Sequence, residues 1–458
     1  MQQLSVVILA AGKGKRMVSD LPKVLHRIAG KPLLGHVLAT ASQLEATTRL
    51  VVYGHGGEAV KAAFAGDSDV VWVEQAEQLG TGHAVAQALP SIDPAGVVLV
   101  LYGDVPLIQT ETLQPLVADA RQGRLALLTV ELGDPTGYGR IVRDECGRVL
   151  RIVEHKEATP TERNLREINT GILAVSADRL KDWVAELDND NSQGEYYLTD
   201  IIALAVRDGV PVEAFTVAEP AEVQGINDRQ QLAELERFYQ ARQAEALLAG
   251  GATLLDPARV DVRGTLVAGK DVIIDVNVVF EGTVRLGDRV RIGPFCVLRD
   301  AVIGDDVEIL SHCWIDSAEV GAGAHIGPYA RLRPDTRLAP GVHIGNFVET
   351  KKVEIGPGSK VNHLTYIGDA EIGSNVNVGA GTITCNYDGA NKHKTVIGDG
   401  AFIGSNSSLV APVRIGKGAT VGAGSAVSGE VPEGGLSLTR APRKDVANWE
   451  RPTKSGKR

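Results

Sequence analysis

The sequence predicts two architectures in one chain: an α/β domain on a mostly parallel sheet, then a parallel β-helix of hexapeptide repeats. Three observations carry this. The first half alternates continuous aliphatic runs with helix-like stretches, the pattern of a sheet covered on both faces. A polar segment without proline or internal glycine, residues 228–249, separates the halves. From about residue 252 an aliphatic residue recurs every six positions and is soon coupled to glycine.

The first half divides readily. "SVVILA" (5–10), "LVVYG" (50–54), "VVLVLYGD" (97–104), "LALLTVEL" (125–132) and "NTGILAVS" (169–176) are expected strands, and "LLGHVLATASQLE" is an expected helix between two of them. Ligands of such sheets bind beyond the carboxyl ends of the strands. Apolar residues recur at helical spacing in "DRQQLAELERFYQARQAEALLA" (228–249), so one long helix is expected there, ended by Gly250 and Gly251. The expected domains are therefore 1–227, a linker helix over 228–249, and 250–458.

Beyond the helix, Val260, Leu266, Val272, Val278, Val284 and Val290 stand six apart. Aliphatic–glycine pairs then take over, among them Leu286-Gly287, Ile344-Gly345, Ile367-Gly368, Val378-Gly379 and Val421-Gly422. The aliphatic residue is expected to point inward and stack on its copy one coil away, with glycine or a small residue permitting the corner. The flat outer faces of such a solenoid are free to pair with other subunits.

Composition limits the functions open to a 458-residue chain, which is long enough for two or three domains. A net charge of -10 argues against a general nucleic-acid binder, which needs an excess of basic residues. Phosphorylated small molecules remain open, because a local Lys/Arg cluster can outweigh the global sign. Cys146, Cys296, Cys313 and Cys385 include no CxxC pair, so zinc is not expected and reduced thiols in a cytoplasmic protein are. The N-terminal apolar run is too short for a membrane span and is expected to be the first strand.

The first chemical motif is "LAAGKGKRM" (9–17), directly after that strand. Gly12 and Gly14 would let backbone N–H groups approach a phosphate, with Lys13, Arg16 and the later Lys23 supplying charge. A plain strand-to-helix turn explains the glycines equally well. Neither a G-x-x-x-x-G-K-[ST] loop nor a full G-x-G-x-x-G is present. Together with "LPKVL", the stretch resembles the signature of the sugar-nucleotide pyrophosphorylases, except that Lys15 stands where that family usually has Thr or Ser.

This resemblance implies a nucleoside triphosphate cradled by Leu9, Ala10, Ala11 and Gly12. It implies base recognition by "QAEQLGTGHA" (75–84), through Gln75, Gly80 and Thr81. In "LYGDVPLI", Tyr102 and Gly103 lead to Asp104, which is either a turn residue or, with Asn227 of "GINDR", an implied Mg²⁺ ligand. "PTGYGR", "IVEHK" and "EINTGI" imply sugar and ribose contacts at Gly139, Glu154 and Asn169, and "GEYYLTD" a loop closing over the sugar. Arg16 and Lys23 are the implied catalytic cations, acting by position and charge without a covalent intermediate.

The second motif is "NHLTYIGDAEIGSNVNVGAGTITCNYDGANKHKT" (362–395). A repeat coil needs no histidine, and a lone His363 reads as a solvent-side residue. Its neighbours change that reading: Arg333 and Lys351 are cations suited to a sugar phosphate, and Tyr366, Asn377, Asn386 and Tyr387 add hydroxyl and amide groups. A histidine is suited to take a proton from an attacking amine near neutral pH. The set resembles the hexapeptide-repeat acyltransferases that use acetyl-CoA. With the first half, it is similar over nearly the whole chain to the bifunctional bacterial family of N-acetylglucosamine-1-phosphate uridyltransferase/glucosamine-1-phosphate acetyltransferases.

That family resemblance implies a left-handed helix, a homotrimer with sites between subunits, and two reactions. Acetyl-CoA would acetylate glucosamine 1-phosphate with His363 as general base; UTP would then react with N-acetylglucosamine 1-phosphate. Arg333, Lys351, Tyr366, Asn377, Asn386 and Tyr387 are the implied sugar-phosphate contacts, Asn386 also steadying the oxyanion or orienting the base. Ala380, Ser405, Ala423 and Arg440 are the implied acetyl-CoA contacts. The basic tail 440–458 either attracts the anionic coenzyme or is merely solvated. Two rival readings stand beside this one: a single-function pyrophosphorylase with a structural β-helix, and a non-catalytic scaffold.

Overall fold

The structure, a computed structural model, describes residues 2–12 and 14–451. Lys13 of the phosphate cradle and residues 452–458 of the basic tail lie outside the described residues. The chain divides into two compact units, Met1–Ala241 and Arg242–Arg458.

The first unit is a mixed sheet covered by helices. Seven strands lie side by side in the order Val212–Val217, Leu125–Glu131, Glu167–Ser176, Val97–Tyr102, Leu4–Ala10, Thr48–Tyr53 and Val70–Glu74. Leu4–Ala10 is wholly buried and pairs in parallel with Thr48–Tyr53 and Val97–Tyr102. Because successive side chains point to opposite faces, Val6 and Ile8 join one core with Leu34 and Val37 of the helix Leu33–Gln43. Val7 and Leu9 join the other, with Val85 of Thr81–Ala88 and Trp183 of Ala177–Glu186. All five expected strands form. Glu167–Ser176 departs from the parallel pattern, running antiparallel to both neighbours. The hairpin Arg140–Arg143/Val149–Val153 attaches beside it.

The expected long helix is Arg229–Ala249. Its stop is a Schellman turn: Ala252 N–H reaches Leu247 C=O (3.0 Å), Gly251 N–H reaches Leu248 C=O (3.1 Å), and Gly251 takes φ +93°.

The second unit is a left-handed parallel β-helix. Most of its strands pair in parallel with partners 17 or 18 residues on, as in Ile292↔Ile309 and Ile326↔Ile344, so one coil holds three hexapeptides; the coil that carries residues 386–394 is longer, pairing Asn377 with Phe402. Val260, Val272, Val278, Val284 and Val290 are buried as expected, whereas Leu266 is only partly covered. Each fully buried aliphatic of this ladder contributes roughly 1.5–3 kcal/mol of transfer free energy.

The role expected for the glycines needs correction. Pair glycines such as Gly345, Gly379 and Gly404 do not make the corners, since none has positive φ. They are small because the next coil is too close: a Cβ on Gly345 would lie 1.9 Å from Asn362 O, and one on Gly404 2.4 Å from Ala423 N. The left-handed corners fall elsewhere. One series is Asp271, Arg289, Asp306 and Asn375, another Asp300, Ser317, Asp335, Lys352 and Asp369, mostly Asp and Asn, which tolerate φ > 0. The third corner breaks the rule with Phe295, His312, Tyr329, Phe347 and Leu364 at φ 48–61°. The rings of its first four members stack at 4.7–5.3 Å between centroids.

Candidate functional site

In the first unit, the loops beyond the carboxyl ends of Leu4–Ala10 and Val97–Tyr102 enclose a cavity of about 270 Å³. Leu9, Ala10, Ala11, Gly12, Lys23, Gln75, Gly80, Thr81, Tyr102 and Asp104 line it, together with Val24, Gln78, Ala84 and Glu195, which the sequence did not single out. A Cβ at Gly12 would meet no protein atom within 4 Å, so the missing side chain leaves room for a ligand. Gly14 serves the protein instead: at φ +57°, its Cβ would fall 2.8 Å from Lys23 Cβ. Gly14 thus lets the lysine stem pass.

Lys23 Nζ donates to Asp104 Oδ2 and, at 3.2 Å, to Asn227 Oδ1. Residues 81 and 204 positions away from Lys23 thereby converge on one ammonium. The backbone fixes this: Gly103 N–H bonds to Leu9 C=O, and Ile226 N–H to Asp104 C=O, both 2.9 Å. Asp104 lies two residues past the end of its strand at Tyr102. A carboxylate and an amide oxygen pointing at one cationic centre are the hard donors Mg²⁺ prefers.

Gln75 is buried, donating to Gly80 C=O (3.0 Å) and meeting His83 Nδ1 (3.1 Å). Tyr196 C=O accepts from Gly82 N–H at 2.8 Å, and Thr81 Oγ1 accepts from Leu198 N–H at 3.1 Å. The loop of "GEYYLTD" is thereby tied to the loop after Gly80. Gly139, Glu154 and Asn169 also meet: Asn169 N–H donates to Gly139 C=O (2.9 Å), and Glu154 Oε1 is 3.4 Å from where a Gly139 Cβ would stand. Burial raises the Glu154 pKa, against the opposing bond from Thr199 Oγ1 (3.2 Å). Arg16 is exposed on the turn Lys15–Met17, and its charge reaches Tyr138. Arg140, unforeseen, is fully buried, with its side chain on Tyr138 C=O, His155 Nδ1 and Arg163 C=O.

In the second unit, the proposed residues flank one corner. His363 ends the strand Lys360–His363, Leu364 turns the chain at φ 48°, and Tyr366 begins the next strand. The His363 ring lies 2.8 Å, Nδ1 to Oδ1, from Asn346, its partner one coil earlier. Two positions past the paired residues Val361, Val378, Ile403 and Val421 stand His363, Ala380, Ser405 and Ala423. These four line up along the corner. Hydrogen bonds link their coils: Gly381 N–H to His363 C=O, Asn406 N–H to Ala380 C=O, Gly424 N–H to Ser405 C=O. Arg440 Nε donates to Ala423 C=O at 2.9 Å, at the far end of this ladder. Asn377 shares the face of His363, in register with Lys360.

On the other side of the corner, Arg333 Nη1 donates to Glu349 Oε1 (2.7 Å). Asn386 Nδ2 donates to Asp369, and a Cβ on Gly368 would touch both Tyr366 Oη and Asn386 Nδ2, so these polar groups form one cluster. Tyr387 is exposed and bridges to Lys392. Lys351 is held below the ordinary lysine value, first by the neighbouring Lys392 and then by the charge of Arg333, with Asp369 opposing.

Sequence reasoning missed Asn346, Glu349, Asp369 and Lys392. The first three had a signal, because one coil is 17 or 18 residues and site residues find partners about one coil away. Asn346 is 17 before His363, and Asp369 is 17 before Asn386. Asn346, not Asn386, is the residue on the histidine ring.

Among known families, the model described as MobA-like NTP transferase domain matches residues 6–251. The model described as bacterial transferase hexapeptide (six repeats) matches 394–429. Relatives named bifunctional protein GlmU align along nearly the whole chain. That of Alkalilimnicola ehrlichii is 59% identical over 451 residues, covering 98% of this chain and 97% of its own. That of Marinobacter nauticus is 59% identical over 455, covering 99% and 100%. That of Methylococcus capsulatus is 58% identical over 456, covering 99% of each.

Proposed function

The chain belongs to the family of bifunctional GlmU proteins, and on that premise we propose that it is a transferase with one site in each unit. The first activity acetylates glucosamine 1-phosphate from acetyl-CoA. The second joins the resulting N-acetylglucosamine 1-phosphate to UTP, giving UDP-N-acetylglucosamine for cell-wall sugars. The observation that carries this reading is the pair of polar centres, Lys23/Asp104/Asn227 in the first unit and, in the second, His363 held by Asn346 on the same β-helix as Arg333, Lys351 and Lys392.

At the first site the sugar-phosphate oxygen attacks the α-phosphorus in line, and pyrophosphate leaves. Leu9 to Gly12 cradle the triphosphate, Gln75, Gly80 and Thr81 hold the base, and Tyr102, Gly103, Gly139, Glu154 and Asn169 hold the sugar and ribose. Arg16 and Lys23 offset developing charge. Asp104 and Asn227 would hold Mg²⁺, which when bound neutralises charge on the triphosphate.

At the second site Arg333, Lys351 and Lys392 take the sugar phosphate, with Tyr366, Asn377, Asn386 and Tyr387 around the sugar. Asn346 Oδ1, accepting from Nδ1–H, leaves His363 Nε2 with its lone pair. The substrate amine forms a bond to the thioester carbonyl carbon and gives a proton to Nε2. The C–S bond breaks, and the thiolate leaves with that proton as free thiol. Coenzyme A lies along Ala380, Ser405 and Ala423, with Arg440 at its anionic end. These co-substrates suit a cytoplasmic enzyme, and the free faces of the β-helix suit a homotrimer, which sedimentation would test.

The test is release of free thiol from acetyl-CoA and glucosamine 1-phosphate without UTP, in wild type and His363→Ala. Release in wild type and loss in the variant, with pyrophosphate release from UTP retained, is the expected result. Well-folded protein that releases no thiol would leave a pyrophosphorylase with a structural β-helix.

A further inference from the structure

The third corner of the β-helix changes character at the histidine. Phe347 and Leu364 are bulky, at positive φ, and more than half exposed (55% and 63%). In the three coils that follow, the same position holds Gly381, Asn406 and Gly424. A large apolar side chain at positive φ is a rare and strained choice, and such strain is kept where the side chain has work to do. Neither interior packing nor corner geometry requires a large apolar residue there: the other two corners use Asp, Asn, Ser, Gly and the long but polar Arg289 and Lys352, and this corner uses small residues beyond Leu364.

The change coincides with the proposed path of the coenzyme. Arg440 and Ala423 mark one end, and His363 marks the thioester end. An acyl chain continuing past the reacting carbonyl in the same direction leaves the small-residue coils and meets Leu364, then Phe347. Leu364 is held firmly there. Its N–H donates to Asn346 C=O at 3.1 Å, and the Asn346 side chain holds the His363 ring. Base and bulk are thus referred to one residue, so their separation is fixed.

We infer that Leu364, backed by Phe347 one coil below, is the wall that ends the acyl pocket and restricts the donor to very short acyl thioesters. The inference rests on the acetyltransferase reading of this site. It makes Leu364 a determinant of specificity rather than of the proton transfer.

The test compares acetyl-, propionyl-, butyryl- and hexanoyl-CoA as donors to glucosamine 1-phosphate, read as thiol release, in wild type, Leu364→Ala and Leu364→Gly. Glycine suits the positive φ and alanine keeps the Cβ, so the comparison survives poor folding of one variant. The readout is the ratio of kcat/KM for butyryl-CoA to that for acetyl-CoA. A few methylenes accommodated or refused are worth about tenfold or more. The ratio should therefore rise at least about tenfold in both variants, and Phe347→Ala combined with Leu364→Gly should extend the gain to hexanoyl-CoA. A ratio within twofold of wild type, with acetyl transfer still measurable, overturns the wall and leaves the acetyltransferase intact. A wild type that releases no thiol from acetyl-CoA overturns the underlying reading instead.

Discussion

In the proposed sugar site, the partly buried carboxyl of Glu154 would link substrate binding to pH. Its carboxylate lies beside Gly139 and accepts from Thr199, but burial favours the protonated form, so its pKa lies above the ordinary 4.5. Only the ionised form accepts bonds from sugar hydroxyls on both oxygens. Affinity for N-acetylglucosamine 1-phosphate should therefore fall as pH drops through this raised pKa, in a range where an ordinary glutamate is still ionised. Stability should move the other way. A carboxyl raised on folding costs nothing below its unfolded pKa, and its penalty grows as pH rises through the folded one. Glu154→Gln should accordingly raise the melting temperature at neutral pH, with the gain fading below about pH 4.5, and should raise KM for the sugar phosphate while flattening its pH dependence. A variant whose KM keeps the wild-type pH profile would remove Glu154 from the sugar site.

At the scale of the element, two kinds of glycine look alike in the sequence and differ in the coil. Gly400 has φ +64° with open space around its missing side chain, so Gly400→Ala meets only the left-handed backbone penalty, about 1–2 kcal/mol. Gly345 has an ordinary φ but no room, its Cβ falling 1.9 Å from Asn362 O. Gly345→Ala must push two coils apart and should cost more than about 4 kcal/mol, the range of backbone clashes in a packed interior. Thermal melts of the two variants would separate the mechanisms, and equal shifts would refute the distinction. The repeat announced where glycine sits but not why, because spacing records position while the reason lies one coil away. The strands Val70–Glu74 and Val212–Val217 escaped notice on similar grounds. They are the outermost strands of their sheet, and half-exposed edges lack the unbroken aliphatic run that marked the buried centre.

Over the whole molecule, most candidate site residues were legible because two uncommon motifs fall on opposite sides of a polar helix. What escaped were the partners that hold them: Asn346 on His363 and Asp369 on Asn386. Such residues touch other side chains one coil away, a relation that the local motif does not display. The two units also differ in chemistry, and this yields a prediction for the intact protein. The first site gathers Asp104 and Asn227 oxygens around a cation and must manage a triphosphate, whose charge a divalent ion offsets. On the proposed reading, the second offsets its smaller phosphate charge with Arg333, Lys351 and Lys392, and thioester aminolysis needs a base and a held amine. Chelation of divalent ions with EDTA should therefore abolish pyrophosphate release from UTP while thiol release from acetyl-CoA continues at near its former rate. Added Mg²⁺ should restore the first activity alone. Asp104→Asn should imitate the chelator, raising the Mg²⁺ needed for half-maximal uridylyl transfer by an order of magnitude or more and leaving acetyl transfer untouched. If EDTA silenced both activities together, the second site would need a divalent ion that the cation cluster was argued to replace, and the assignment of charge management to Lys392 and its neighbours would have to be abandoned.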